Sequence, residues 1–162
     1  MRIGQNAPTI DFNWGFGSPA PGLPVDSFTA RWTARIMPTQ SDNHTFSVTA
    51  AGGVRLWLED QLILDFWFDH PENEVTTAPV QLDAGSIYAL RLEFLETTGP
   101  ASVRLQWQSS SMSKRLVTFQ NAPDGSEAAF GLTLAGTGNG RFVVGGRARG
   151  LKDERLFRFE FP

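Results

Sequence analysis

Residues 53–67 read GVRLWLEDQLILDFW, two runs of alternating apolar side chains joined by a short polar connection. A period of two residues is typical of a half-buried β-strand, because successive side chains point to opposite faces. One face would carry the apolar residues Val54, Leu56, Leu58, Leu62, Leu64 and Phe66. The connection Asp60–Gln61 suits two antiparallel strands, so residues 54–66 are predicted to form a β-hairpin.

The same two-residue period recurs in segments 28–36, 45–50, 88–94 and 103–107. Strands at such spacing, with turns between them and no 3.6-residue apolar repeat, are typical of sandwiches and barrels. The polar, proline-bounded segment 69–79 is predicted to be a loop that could hold a short extended piece. The sequence therefore predicts an all-β chain, an antiparallel two-sheet β-sandwich of jelly-roll-like form.

The composition of the 162-residue chain limits the function classes. Cysteine is absent, which excludes disulfides, Cys-ligated metals and thiol nucleophiles. The formal charge is -3, with 14 Lys and Arg against 17 Asp and Glu, so nothing favours binding to duplex nucleic acid. The apolar runs are too short to span a bilayer, and residues 1–5 lack the apolar stretch of a signal peptide. We therefore expect no nucleic-acid partner and no membrane insertion.

The composition of the chain changes after Phe119. Residues 121–126 read NAPDGS and are typical of a linker, and further strands are predicted beyond them, over about 130–134, 142–144 and 157–161. Three short strands seldom bury enough surface to be stable alone. We therefore expect a sandwich over residues 1–119 and a β-rich extension over 120–162. The extension either packs on the first unit or begins a second, truncated domain.

Several strings in sequence order carry a family resemblance. They are IDFNWG (10–15), GSP (17–19), DSFTARWT (26–33), HTFSVT (44–49), GVRLWL (53–58), LILDFW (62–67), LDAGSIYALRLEF (82–94) and VRLQW (103–107). Their order and spacing resemble the PA14 domain family, the β-sandwich family named after anthrax protective antigen. The resemblance covers roughly residues 7–119, and it implies an accessory module of secreted or cell-surface proteins such as glycosidases, adhesins and toxins.

The resemblance also bears on whether this chain binds calcium. In adhesin members of that family, two adjacent aspartates before the glycine of the GVRLW-like motif hold a calcium ion that holds the sugar, and paired carboxylates suit a hard cation. Here the pair is replaced by Ala51 and Gly52, which carry no side-chain oxygen. We therefore expect no metal and no cofactor, and sugar binding that is either independent of calcium or lost.

The candidate ligand-binding residues cluster around the predicted hairpin. Indole rings stack on the C–H faces of sugars, while carboxylates, guanidinium and imidazole groups bond to hydroxyls. The candidates are Arg55, Trp57, Asp65, Trp67, Asp69 and His70. Two alternatives stay open: Arg55 could form a cross-strand salt bridge to Glu59, Asp65 or Glu93, and Trp57 could belong to the core.

No catalytic residue is predicted. The pairs Asp65 with Asp69 and Glu93 with Glu96 could be compared with glycosidase carboxylates, but the second pair falls on opposite faces of an extended strand. The string Ser111–Lys114 matches S-x-x-K, a motif that needs a helix this chain is not predicted to have.

The leading hypothesis is a non-catalytic carbohydrate-binding or adhesion module of a secreted or cell-surface protein. Its partners would be a glycan and the other domains of a larger parent protein. The alternative is a structural or protein-interaction domain without a small ligand. Phe157, Phe159 and Phe161 would share one strand face and could form an edge that binds a protein partner.

Overall fold

The computed structural model describes residues 9–19 and 22–120 and the backbone of three later strands. These residues form β-strands and turns, and none of them lies in a helix. The strands are β1 (Asp11–Gly15), β2 (Phe28–Ile36), β3 (Asp42–Ala51), β4 (Gly53–Leu58), β5 (Gln61–Phe66), β6 (Asn73–Thr76), β7 (Val80–Leu82), β8 (Tyr88–Glu96), β9 (Ala101–Ser109), β10 (Met112–Leu116), β11 (Gly131–Gly136), β12 (Val143–Arg147) and β13 (Arg158–Glu160).

The strands form two antiparallel sheets. In the first sheet the order is β1-β9-β3-β6, with β10 also paired to β9 and β7 also paired to β3. In the second sheet the order is β13-β12-β11-β2-β8-β4-β5. The expected all-β, two-sheet sandwich is confirmed. Among the described residues, no helix offers the length and apolar character needed to cross a membrane.

The core lies between the sheets and follows the two-residue period. In β2 every second side chain is buried, and in β8 the inward residues from Leu90 to Phe94 are buried as well. Aromatic rings bridge the sheets: Trp14 of β1 stacks on Trp32 of β2, with ring centroids 6.4 Å apart. Burial of such rings supplies much of the apolar area that holds the two sheets together.

The predicted hairpin is present as β4 and β5. Glu59 and Asp60 form its two-residue turn with φ of 50° and 61°, as a type I′ turn requires. A register shift between Leu56 and Trp57 places Trp57 opposite Leu62. The expectation that Leu62 faces the core is therefore wrong, and its side chain is 44% exposed. The irregularity takes Leu62 out of the inward set.

The segment predicted as a polar loop contains regular structure. β6 pairs with Ser47–Ala50 of β3, which confirms the short extended piece, and β7 pairs with the beginning of the same strand. The segment 69–79 is therefore partly an edge strand. The S-x-x-K string lies in a turn and in β10, where a strand replaces the helix that its chemistry would need.

The additional C-terminal strands are confirmed as backbone elements. β11 pairs with β2 in the register Gly131↔Thr33 to Gly136↔Phe28, and β12 and β13 follow outward from it. The division into units at residue 119 stays a prediction. The side chains of the Phe157–Phe161 edge lie outside the described residues.

Candidate functional site

The six predicted site residues fall in two places. Four of them lie on or beside the outer surface of the second sheet: Arg55, Trp57, Asp65 and Trp67. We call the surface formed by these four residues with Arg91 and Glu93 of β8 the hairpin face. Asp69 and His70 lie at one end of the sandwich, in a cluster of loops. This loop end comprises Asp26 and segments 51–53, 68–71 and 97–100, joined by the hydrogen bonds described below.

Arg55 lies at the centre of the hairpin face, level with Asp65 on one side and Glu93 on the other. Its Nε donates to Asp65 Oδ1 at 3.0 Å, so the predicted cross-strand salt bridge forms with Asp65. The same guanidinium lies over the ring of Trp67, with Cζ 4.6 Å from the ring centroid. The Arg55 guanidinium thus contacts both a carboxylate and an indole. A cation–π contact with the ring at an exposed site contributes about 0.5–1 kcal/mol.

The second indole of the hairpin face is held in the same way. Arg91 Cζ lies 4.1 Å from the ring centroid of Trp57. Arg91 also lies 3.7 Å from Glu93, and Glu93 accepts a salt bridge of 3.0 Å from Arg31. Trp57 is half-buried rather than part of the core, so the alternative that placed it in the core is wrong.

The hairpin face therefore offers two indoles fixed by guanidinium groups, with a carboxylate between them. Trp67 follows Phe66, which pairs with Val54, so the two tryptophans are separated by roughly 13 Å along the strand direction at about 3.3 Å per residue. Rings, carboxylates and guanidinium groups on one flat surface can stack on sugar rings and bond to their hydroxyls.

Asp69 and His70 hold the loop end together. Asp69 Oδ2 accepts hydrogen bonds from the amides of Thr97 at 3.1 Å and Thr98 at 3.0 Å, and from the Thr97 hydroxyl. The His70 carbonyl accepts from the amide of Gly52 at 3.0 Å, and His70 Nδ1 lies 2.7 Å from the Pro71 carbonyl. A shallow depression beside them is lined by Asp69, His70, Pro71, Thr97, Thr98 and Pro100. The Oδ2 atom of Asp69 is thus already engaged in shaping this end.

Sequence reasoning missed the role of Glu96, the last residue of β8. Its side chain is 0% exposed, and neither carboxylate oxygen has a hydrogen-bond partner. Burial above all, with the charges of Asp69 and Asp26, raises the pKa of Glu96 to about 7. The signal was available, because Glu96 continues the inward alternation of Leu90, Leu92 and Phe94 that the sequence shows.

The calcium pair of the family's adhesins does not fit this loop end. A Cβ at Gly52 would lie 2.6 Å from the Leu95 carbonyl oxygen and 2.6 Å from Cε2 of Phe94, and the φ of Gly52 is +129°. An aspartate at position 52 would clash with the backbone and the core. Position 51 is an alanine, whose side chain has no oxygen that could bind calcium. In the part of the chain that the structure describes, no group of three acidic, His or Cys residues is placed to hold a metal ion.

The fold and these surfaces define a β-sandwich module with an aromatic and charged sheet face. A sequence model of the PA14 domain matches residues 1–121. The chain belongs to the PA14 domain family, and the resemblance found in the sequence is confirmed.

Named relatives share this domain. The anti-sigma-I factor RsgI3 of Acetivibrio thermocellus is 34% identical over 110 residues, which cover 68% of this chain and 17% of that protein. An anti-sigma factor domain-containing protein from Clostridium clariflavum is 38% identical with a TM-score of 0.64, covering 68% of this chain and 37% of that one. This chain therefore spans well under half the length of either relative.

A more distant structure shares the fold. The PA14 sugar-binding domain from an RTX adhesin is 13% identical, with a TM-score of 0.55, and the match covers 70% of this chain and 78% of that domain. At that identity the likeness shows a common sandwich, and it says nothing about which side chains would meet a ligand.

Proposed function

We propose that this chain is a non-catalytic carbohydrate-binding module of a larger secreted or cell-surface protein, and that it binds sugar without calcium. The observation that carries the proposal is the hairpin face, where Trp57 and Trp67 are each held by a guanidinium group. Arg55 and Asp65 lie between the rings and supply hydrogen-bonding groups of both kinds. Asp69 and His70 would shape the adjoining loop end.

The physical case rests on preorganisation. A sugar loses less binding free energy to ordering when the rings it stacks on are already fixed. The cation–π contacts of Arg55 and Arg91 fix both indoles before a ligand arrives. Stacking on two such rings favours an extended oligosaccharide over a single sugar, because the backbone positions of Trp57 and Trp67 are roughly 13 Å apart.

The relatives support an accessory module. The RTX adhesin domain of the same fold is described as sugar-binding, and the more similar relatives are anti-sigma factors of much greater length. Calcium independence is supported by Ala51 and Gly52. We also propose that the strands β11 to β13 of the C-terminal extension belong to the first unit, which the pairing of β11 with β2 supports.

The test is calorimetric titration with a panel of oligosaccharides, in buffers with EDTA and with calcium. We expect binding that is equal in both buffers and at least about tenfold weaker in Trp57→Ala and Trp67→Ala, since tenfold corresponds to about 1.4 kcal/mol. Phe16→Ala is the matched control, because Phe16 is an aromatic residue that is 77% exposed and lies outside the hairpin face. Loss of binding in that control, or binding that requires calcium, would contradict the proposal.

The second candidate is a structural or protein-interaction domain. It is favoured by the same ion pairs, because Arg55 and Asp65 pair with each other and Glu93 pairs with Arg31, as in many exposed sheet surfaces. If no saccharide in the panel binds, size-exclusion chromatography with light scattering on this chain and its neighbouring domains separates a spacer from an interaction module. A concentration-dependent complex would indicate the interaction module.

A further inference from the structure

The loop end contains a carboxyl group that the proposed function does not use. Glu96 ends β8 on the inward side as the next inward residue after Phe94 of the core, and its side chain is fully buried. Neither of its carboxylate oxygens has a hydrogen-bond partner at normal geometry, and the amide of Thr98 is the one group named as favouring the charged form. An ionised carboxylate in such a place would lose its hydration with little compensation, which costs several kcal/mol in general.

The charged groups around Glu96 are of the same sign. Asp69 approaches from the loop after β5, and Asp26 approaches from the segment before β2. His70 follows Asp69 in the same segment; its Nδ1 lies 2.7 Å from the Pro71 carbonyl, and its Nε2 is buried without a hydrogen-bond partner. Among residues 9–19 and 22–120, no Lys or Arg forms an ion pair with Glu96.

The two aspartates are the residues that hold the turn after β8. Asp69 Oδ2 accepts from the amides of Thr97 and Thr98, and Asp26 Oδ1 accepts from the amide of Gly99 at 3.1 Å. A negative charge on Glu96 would therefore repel the very carboxylates that fix residues 97–99. A neutral Glu96 leaves both of them in place.

We propose that Glu96 is a proton-linked switch for the loop end: neutral Glu96 keeps residues 97–99 closed on Asp69 and Asp26, and ionised Glu96 loosens that turn. Only a proton moves, from the Glu96 carboxyl to solvent. The depression lined by Thr97, Thr98 and His70 would consequently be better ordered in acid than in base. This switch goes beyond the proposed function, because it acts whether or not the hairpin face binds sugar.

The direction follows from the protonation equilibrium. Burial and the two aspartates raise the pKa of Glu96 from 4.5 to about 7, the amide of Thr98 opposing them in part. The folded chain therefore keeps this proton over a range in which the unfolded chain has lost it. Ionisation of Glu96 and loosening of residues 97–99 should share one midpoint near neutral pH.

The test is NMR on this chain in metal-free buffer between pH 4 and pH 9. We expect the side-chain carboxyl carbon of Glu96 to titrate with a midpoint near 7, and the amide signals of Thr97, Thr98 and Gly99 to shift with the same midpoint. In Glu96→Gln, which imitates the neutral form, those amide shifts should disappear. Glu72→Gln is the matched control, since Glu72 is exposed and bonds to Ser102, and it should leave them unchanged.

Two results would overturn the switch. The first is a Glu96 carboxyl that titrates near the ordinary glutamate value of 4.5, which needs no variant to observe. The second is an amide titration of Thr97 to Gly99 that persists in Glu96→Gln, which would assign it to a neighbour such as His70. Neither result depends on a saccharide, so failure of the switch is distinguishable from failure of carbohydrate binding.

Discussion

The hairpin face and the loop end use charged residues in opposite ways. On the hairpin face each cation lies beside a partner: Arg55 pairs with Asp65 and Trp67, and Arg91 lies over Trp57. At the loop end Glu96 is buried beside other carboxylates with no partner of its own. The first region is partly exposed and each of its carboxylates pairs with a cation, while the second stores an unfavourable contact inside the fold.

The two regions should therefore differ in how their stability responds to pH. Exposed ion pairs contribute about 0–1 kcal/mol each, so the hairpin face should add little to the pH dependence of stability. A buried acid with a displaced pKa alters stability across the whole interval between its unfolded and folded values. We therefore expect a hairpin face whose stability depends little on pH and a pH-responsive loop end in one small sandwich.

The largest effect should come from filling the space at Gly52. A Cβ there would lie 2.6 Å from a backbone oxygen, in a conformation with φ of +129°. Gly52→Ala should destabilise the fold by about 3 kcal/mol or more, through overpacking and strain together. Chemical denaturation measures it.

Gly85→Ala is the matched control for Gly52→Ala. Gly85 also has a positive φ, +78°, but nothing lies within 4 Å of the added carbon. It should cost only the backbone strain, about 1–2 kcal/mol. An equal loss of unfolding free energy in the two variants would mean that Gly52 is not closely packed against Phe94 and Leu95.

The next effect is the pH dependence of stability from Glu96. Its folded pKa of about 7 exceeds the unfolded value of 4.5, so its contribution is complete below pH 4.5 and falls as pH rises toward 7. The free energy of unfolding of Glu96→Gln should equal that of the wild type near pH 4. At pH 8 it should be larger by about 2 kcal/mol, after allowance for solvent screening. Thermal melts across this range measure the difference.

Asp42 provides a control of opposite sign for that pH profile. Hydrogen bonds from Ser110, Ser111 and the Asn43 amide hold its pKa well below the usual range. Its contribution is present at neutral pH and is lost as pH falls below the ordinary aspartate value of about 3.9. Asp42→Asn should therefore flatten the acid side of the curve alone. A wild-type stability that rises between pH 5 and pH 8 would contradict the assignment of Glu96.

A smaller effect is expected from Asp69. Asp69→Ala removes an acceptor shared by Thr97 and Thr98 and should cost about 1.5 kcal/mol. It should also lower the pKa of Glu96 by removing a neighbouring charge. Asp65→Ala, on the hairpin face, should cost less than 1 kcal/mol and leave Glu96 unchanged. A shift of the Glu96 titration in Asp65→Ala would mean that the two regions are coupled.

The smallest effect is the coupling of Arg91 with Trp57. A double-mutant cycle with Arg91→Met and Trp57→Leu should give about 0.5–1 kcal/mol. The exposed salt bridge of Arg104 with Asp11, at 3.0 Å on the other sheet, serves as the reference pair and should give no more. A coupling free energy near zero would mean that Arg91 does not hold the Trp57 indole in place before a ligand binds.

The period-two alternation made the sheet and its two faces predictable from sequence. It correctly placed Arg55 and Asp65 on the outer face, with Asp65 as one of three possible salt-bridge partners. The pairing itself depends on the turn, which is Glu59–Asp60 and not the predicted Asp60–Gln61. The alternation failed at Leu62, where an irregularity at Leu56 and Trp57 changes the register, and such a shift leaves no mark in the pattern of apolar residues.

Contacts between distant segments could not be predicted in the same way. The cation over Trp57 comes from Arg91 of β8, and β6 is a strand because it meets β3 across the first sheet. Both depend on strand order, which the local sequence does not encode. Glu96 is different, since its inward position follows from alternation and only its lack of a partner required the structure.

The central claim is that the hairpin face binds sugar without calcium, and calorimetry of the wild type and Trp57→Ala in EDTA tests it most directly. We predict that an oligosaccharide long enough to reach both indoles binds the wild type and binds Trp57→Ala at least about tenfold more weakly. Equal affinity for the two proteins, or no saccharide binding to the wild type with or without calcium, would contradict the claim.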